Sequence, residues 1–346
     1  MTDAPRTGDV IVLGSINVDH SIYVDAFPEP GETILARAGA KGLGGKGANQ
    51  SAAASLLGAT VHLLGRVGDD EAAGFIRSRL EHFGIDAGEL AVSADNSSGA
   101  AYITVESSGE NTVAVVSGAN ADVDIESLTR AVDGVIGRLP SGAADVVGLA
   151  QGETPARMTA AFARRCRTAG VRFVVNLAPA IELDRATIAL ADPLIVNEGE
   201  ARAVHGRLGS GPIAVETTDD ALTAARRMLA DGLAESIVIT LGADGAVVAR
   251  RADGAEPGDA VDAWHEPSPA PAGVVDTTGA GDAFVGALVA LLSGGTDLKD
   301  AVRWAAAAGS AAVTKKGTTD SYPDREALAE LRSAGSAGAG PTKPRG

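Results

Sequence analysis

Residues 144–179 read "ADVVGLAQGETPARMTAAFARRCRTAGVRFVVNLAP". Both ends are short apolar runs rich in valine, the signature of buried strands, and the segment between them reads as a helix. Parallel neighbours need a crossover of about a dozen residues or more, usually a helix, where a tight hairpin serves only antiparallel ones. One strand–helix–strand unit thus predicts a parallel sheet with a helix on its face.

The same alternation extends to both sides. "DVIVLGSI" (9–16) is a first buried strand, "KGANQSAAASLLGA" (46–59) a helix, "TVHLLGRVG" (60–68) a strand and "DDEAAGFIRSRLEHFG" (69–84) a helix. Downstream, "DPLIVNEGEARAVHG" (192–206) runs from strand to helix, and "DALTAARRMLADG" (220–232) is a helix. "ESIVITLGADGAVVAR" (235–250) is two strands joined at "GADG". Helices lie in "GAGDAFVGALVALLSG" (279–294) and "DLKDAVRWAAAAGSAAVTK" (297–315). The pattern predicts an α/β fold: a doubly wound, mainly parallel sheet with helices on both faces. Two segments interrupt it, 17–38 with "SIYVDAF" and "ETILARAGA", and 98–117 with a hairpin about "SSGEN". They predict a small β-sheet lid over the carboxyl ends of the main strands, where open α/β sheets bind ligands.

Composition narrows the partners. The 346 residues carry 45 Asp and Glu against 29 Lys and Arg, a formal charge of −16, which argues against a nucleic-acid surface. The longest apolar run, "AFVGALVALL", is too short to span a bilayer, and "MTDAPRTGDV" has no signal-like apolar core, so a cytoplasmic protein is expected. Cys166 alone cannot form an internal disulfide, and the five histidines form no zinc motif.

Four polar motifs stand where ligands bind. "GSINVD" (14–19) places Asn17 and Asp19 just past the first strand, an amide and a carboxylate suited to vicinal hydroxyls or to a simple Asx turn. "GLGGKG" (42–47) is a glycine turn into a helix that begins with Asn49 and Gln50; it fails the Walker A pattern, because Gly47 follows Lys46. "NEGE" (197–200) is either a helix cap or, through Asn197 and Glu200, a holder of magnesium-bound waters. "DTTGAGDAF" (276–284) opens onto a helix, so its backbone N–H groups can bind an anion. Asp282 at that mouth is either a helix cap or a base beside a transferring phosphate.

In this order, with "FPEPGET", "NLAPA", "ITLGADG" and "AAVTKKG" between and after them, the motifs resemble the ribokinase-like (PfkB-type) carbohydrate kinases over nearly the whole chain. The resemblance implies one kinase domain over 1–333, its lid strands within 17–38 and 98–117. The Gly-, Ala- and Pro-rich residues 334–346 are expected to be disordered. It implies a sugar held by Ser15, Ile16, Asn17, Asp19, Gly45, Lys46, Gly47, Ala48, Asn49 and Glu153, with Asp282 as base. Gly279, Ala280 and Gly281 would form the anion hole. ATP would lie against Thr240, Leu241, Gly242, Ala243, Asp244 and Gly245, as well as Gly281 and Asp282, with Mg2+ organised by Asn197 and Glu200. A K+ site would draw on Asp276, Thr278, Ala312, Lys315, Gly317 and Ser321, in a segment where "KKGTTDSYP" replaces the commoner "RKGAQPS". A homodimer through the lid is also implied. "GSINVD" with "GGKGANQ" points within the family to phosphorylation of the primary 5-hydroxyl of ribose. The alternatives are a kinase for a nucleoside or another sugar, with Ile22, Tyr23 and Tyr102 near a base, and a sugar-responsive binding protein without turnover.

Overall fold

The computed structural model describes residues 5–139, 145–251 and 261–337. The chain opens with β1 (Asp9–Leu13), β2 (Asn17–Tyr23) and β3 (Ala38–Gly44), then α1 (Lys46–Leu56), β4 (Thr60–Leu64), β5 (Arg66–Gly68) and α2 (Glu71–His82). Next come β6 (Ala91–Ser93), β7 (Gly99–Val105), β8 (Asn111–Val116), α3 (Ile125–Arg138), β9 (Val146–Gln151), α4 (Ala156–Ala169) and β10 (Arg172–Asn176). After α5 (Arg185–Ile188) follow β11 (Leu194–Asn197), α6 (Glu198–Leu208), α7 (Thr218–Ala230), β12 (Ser236–Thr240) and β13 (Ala246–Arg251). The chain continues through β14 (Val261–Glu266), α8 (Ala280–Ser293), α9 (Leu298–Ala312) and α10 (Arg325–Ala337).

Among the described residues the main sheet has eight strands in the order β14-β13-β12-β11-β10-β9-β1-β4. From β12 to β4 every pairing is parallel, and β13 and β14 add antiparallel at one edge. Side chains of β1 alternate between the two faces: Val10 and Val12 join the core under α1, α8 and α9, while Ile11 and Leu13 join the core under α3, α4 and α7. From β1 the chain reaches β4 on one side and, later, β9 on the other. The sheet therefore reverses its winding between β1 and β9, and a crevice opens beyond their carboxyl ends.

A core with 3% aromatic residues needs close backbone approach. Helices α1 and α8 meet at Gly286, where an added Cβ would stand 2.5 Å from Ala53 Cβ and 2.6 Å from the Gln50 carbonyl oxygen. Gly286→Ala is expected to destabilise the fold by about 1–3 kcal/mol, the usual effect of overpacking, and a thermal melt measures it.

The second sheet has the order β3-β2-β7-β8. It differs from expectation in one strand: residues 32–37 are loop, and β3 lies instead at 38–44, in "AGAKGLG". Its glycines carry no β-propensity, but Gly44 pairs with Asn17 and keeps clear of Asp19, whose carboxylate an added Cβ would overlap. Similarly, "TVHLLGRVG" is two strands, β4 in the main sheet and β5 paired with β6 in a separate ribbon. At the carboxyl end α10 continues to Ala337, so residues 334–337 are helical where disorder was expected, and 338–346 lie outside the described residues.

Candidate active site

The crevice between β1 and β9 is closed by one short hydrogen bond, from Ser15 Oγ to Glu153 Oε2 at 2.6 Å. The same carboxylate oxygen accepts from the Lys46 backbone N–H at 3.1 Å, tying the start of α1 to the loop after β9. Glycines let the three segments meet. Gly45 caps α1 with φ 85, and a Cβ there would lie 2.7 Å from the Ser15 carbonyl oxygen. Gly47 packs against Gly14, with Ala48 N–H donating to the Ser15 carbonyl. "GLGGKG" is thus a close backbone approach.

Asn17 and Asp19 sit inside β2, so neither forms the Asx turn considered above. Asn17 Oδ1 accepts from Asn120 Nδ2 at 2.8 Å, and Asn120 Oδ1 accepts from the Ile16 N–H at 2.9 Å. Ser15, Asn17, Asn120 and Glu153 line a cavity of about 350 Å³. Asp19 lines another, about 490 Å³, between the small sheet and residues 316–320. Its Oδ1 is buried without a partner. Burial, then Glu153 and Asp282, push its carboxyl up to about 6. Lys46 moves the same way: Asp282 raises its pKa against the effect of burial, and Glu153 and Glu200 add to the rise. The ammonium therefore stays charged amid three acids.

Asp282 is 7% exposed and does not cap its helix. The cap is Gly279 in the left-handed region, φ 77, so the capping role fails. Instead, Asp282 Oδ2 accepts from Asn49 Nδ2 at 3.0 Å and Oδ1 from Gln50 Nε2 at 2.8 Å. Gln50 Nε2 also donates to Asn176 Oδ1 at 2.9 Å, Gln50 Oε1 accepts from Gln151 Nε2 at 3.0 Å, and Asn176 Nδ2 donates to the Ile195 carbonyl at 3.3 Å. Gln50 and Gln151 are fully buried. Sequence reasoning placed Gln50 only at a helix start and missed Gln151 and Asn176. Two adjacent amides, Asn49-Gln50, on a helix otherwise rich in alanine were the available signal. At the α8 mouth the Gly279 and Gly281 N–H groups have no partner among the described residues, and Ala280 N–H makes a 3.3 Å turn bond to Thr277. Donors thus remain for an anion.

Thr240, Gly242, Ala243, Gly245, Ala280 and Gly281 line one cavity of about 350 Å³. Its far wall, unforeseen, is apolar: Val274, Phe284, Ala306 and Val313. Leu241 and Asp244 do not line it; Leu241 is buried, and the Asp244 carbonyl accepts from the His265 ring. Asn197 and Glu200 form a full capping box with both bonds at 2.8 Å, the plainer of their two readings. Burial raises the Glu200 carboxyl pKa against the Asn197 N–H and Lys46.

Asp276 joins the two segments expected around a cation. Its Oδ1 accepts from Thr278 N–H at 2.9 Å and its Oδ2 from Gly317 N–H at 3.0 Å. Partial burial works to raise its pKa, but these bonds prevail and hold it low. Ala312 and Ser321 are buried, Lys315 is exposed, and Ser321 Oγ donates to the Thr318 carbonyl at 2.7 Å. Next to them, the Tyr322 hydroxyl is buried without a partner, and a Cβ on Gly279 would lie 2.7 Å from it. Among the described residues no cluster of three or more His, Cys, Asp or Glu is arranged for a metal. No helix among them is long and apolar enough to cross a membrane.

A model of the pfkB family carbohydrate kinases matches residues 7–325, and the chain belongs to that family. It is a phosphotransferase acting on a sugar hydroxyl. Among its relatives, ribokinase of Haemophilus influenzae is 34% identical over 322 residues, 92% of this chain and 97% of the relative. Deoxyribokinase of Salmonella typhi is 32% identical over 327 residues, 94% and 99% of the two chains. The structure of Arabidopsis thaliana ribokinase complexed with ribose and ATP superimposes with a TM-score of 0.77 at 27% identity, covering 95% of this chain and 99% of that one.

Proposed function

We propose that the protein is an ATP-dependent ribokinase that phosphorylates the primary 5-hydroxyl of D-ribose. The observation that carries the phosphoryl transfer is Asp282, a non-capping, hydrogen-bonded carboxylate one turn inside a helix mouth with unpartnered N–H groups, and ribose follows the ribokinase relatives. The 5-hydroxyl gives its proton to Asp282 while its oxygen bonds to the γ-phosphorus, and the bond to the β-phosphate oxygen breaks toward ADP. The N–H groups at 279–281 receive the charge of the transferring group. Asp19 Oδ1 and Asn49 Oδ1, buried acceptors without partners, suit sugar hydroxyls. ATP has the cavity beneath Thr240 and Gly242, whose apolar wall suits a flat base. The deoxyribokinase relative supplies the competing reading. Initial rates with ribose, 2-deoxyribose, fructose, adenosine and cytidine decide between them: ribose is expected to give the highest kcat/KM, and a higher value for another compound overturns the assignment. No ATP consumption with any of these compounds would leave a binding protein.

Mg2+ fits beside Glu200, which would hold its waters, because magnesium keeps several waters and needs few carboxylates. Bound there, it would neutralise phosphate charge. The donors near Asp276 (one carboxylate, backbone carbonyls and the Ser321 hydroxyl) suit a large, weakly hydrated K+ ion. Since Asp276 already ties residue 278 to residue 317, stiffening this link would steady the turn before Gly279. Potassium is expected to raise kcat, and lithium is not. Dialysed enzyme in tetramethylammonium buffer at constant ionic strength tests this, and identical rates in all three salts exclude a K+ site.

A homodimer through the small sheet is supported by its exposed apolar side chains. Ile22, Tyr102 and Val116 share one of its faces and are each about half exposed, from 45% to 53%. In that arrangement Val116→Glu yields a monomer by light scattering, and an unchanged dimer mass rules that face of the sheet out as the interface.

A further inference from the structure

We propose that Gln50 is a positioning residue for phosphoryl transfer: its amide aims the Asp282 carboxylate and keeps it competent as a base. The inference rests on Asp282 being that base. A carboxylate only accepts, so the Gln50 Nε2 must face Asp282 and the Oε1 must face away, toward Gln151 Nε2. The other end is anchored the same way: the Ile195 carbonyl only accepts, so Asn176 presents its Nδ2 there and its Oδ1 to Gln50. Flipping the Gln50 amide would set its oxygen against two acceptors in a fully buried space. The orientation is fixed from both ends.

This arrangement separates Gln50 from its neighbour. Asn49 also donates to Asp282, but its Oδ1 has no partner and is left for a ligand. Gln50 has both N–H groups and its oxygen engaged within the protein, so it has nothing to offer a substrate. Its donors are neutral. An ammonium or guanidinium in its place would hold the carboxylate equally well but would lower its basicity more. Gln50 also gathers its partners from three elements, Asp282 on α8, Gln151 on β9 and Asn176 on β10, and so sets the base relative to the sheet.

The test compares Gln50→Leu and Gln50→Glu with the unchanged enzyme, using whichever sugar the latter phosphorylates. Each is expected to lose about tenfold to a hundredfold in kcat, as for a lost hydrogen bond to a charged group, with the KM for ATP little changed. The acid limb of the kcat–pH profile moves to higher pH in both, because Leu removes a donor to the charged form and Glu adds a second carboxyl beside it. In an Asp282→Asn background Gln50→Leu costs no further activity, since the group it positions is no longer a base. Should Gln50→Leu fail to fold, Gln50→Glu and Gln151→Met decide, the latter shifting the limb less in the same direction. Folded variants with an unshifted acid limb, or an equal fractional loss in the Asp282→Asn background, would overturn the proposal. Failure of ribose as substrate would remove only the substrate assignment and leave this test intact.

Discussion

Asp282→Asn is expected to lower kcat by about two to four orders of magnitude, the usual contribution of a positioned base. The side chain keeps its shape but gains an N–H that must face a donor, either Asn49 Nδ2 or Gln50 Nε2. One of those bonds is lost, so a small fall in melting temperature accompanies the loss of turnover. Binding of sugar and nucleotide persists, because neither depends on the proton acceptor. Steady-state kinetics with calorimetric titration of both ligands separates these effects. A kcat near that of the unchanged enzyme would return the residue to a structural role.

The second large effect falls on Asp19→Ala, which is expected to raise the sugar KM about tenfold to a hundredfold while the ATP KM changes little. Equal changes in both would indicate a folding defect. The same residue gives a pH dependence of opposite sign for folding and for binding. In the free protein its carboxyl is raised from an ordinary 3.8 to about 6, by burial first and then by Glu153 and Asp282. The folded state therefore holds the proton more tightly than the unfolded chain, and this contribution to stability, full below 3.8, is lost as the pH rises through about 6. In the proposed site the sugar is bound by the ionised acceptor, so the sugar KM is expected to rise as the pH falls through the same interval. Asp19→Asn is expected to flatten both dependences. A sugar KM in that variant that still rises below pH 6, as in the unchanged enzyme, assigns the titration to another group.

Much of this was legible in the chain because periodic signals are local. Alternating strands and helices led to the parallel sheet, and the glycine turn at 279–281 marked a helix mouth without reference to any other segment. What escaped depends on distant residues. Whether Asp282 capped its helix or faced the substrate could not be read from "GAGDAF", since its partners Asn49 and Gln50 lie more than two hundred residues earlier. Gln151 and Asn176 lie at the ends of apolar strands, where one polar residue carries no motif, and only strand order brings them to one amide. Strand β3 was hidden by its glycines, of which Gly44 leaves room for Asp19 across the sheet in place of the local backbone preference. The apolar wall of the cavity beneath Thr240 and Gly242 is assembled from separate segments, so no single stretch announces it.

The contact between α1 and α8 has a consequence for how the molecule moves. Asp282 and Gly286 lie one turn apart on the same face of α8, toward the helix that carries Asn49, Gln50 and Ala53. The spacing of the two helices is thus gauged close to the backbone, at Gly286 against Ala53 and the Gln50 carbonyl, and the Asn49 and Gln50 amides span what remains to Asp282. Every residue of α8 from Asp282 to Ser293 is buried, so this pair has no slack in any direction. The small sheet is the opposite case, with β8 exposed along its whole length. As the proposed base, Asp282 is held with the core, and any adjustment on binding falls to the sugar and to the sheet that meets it.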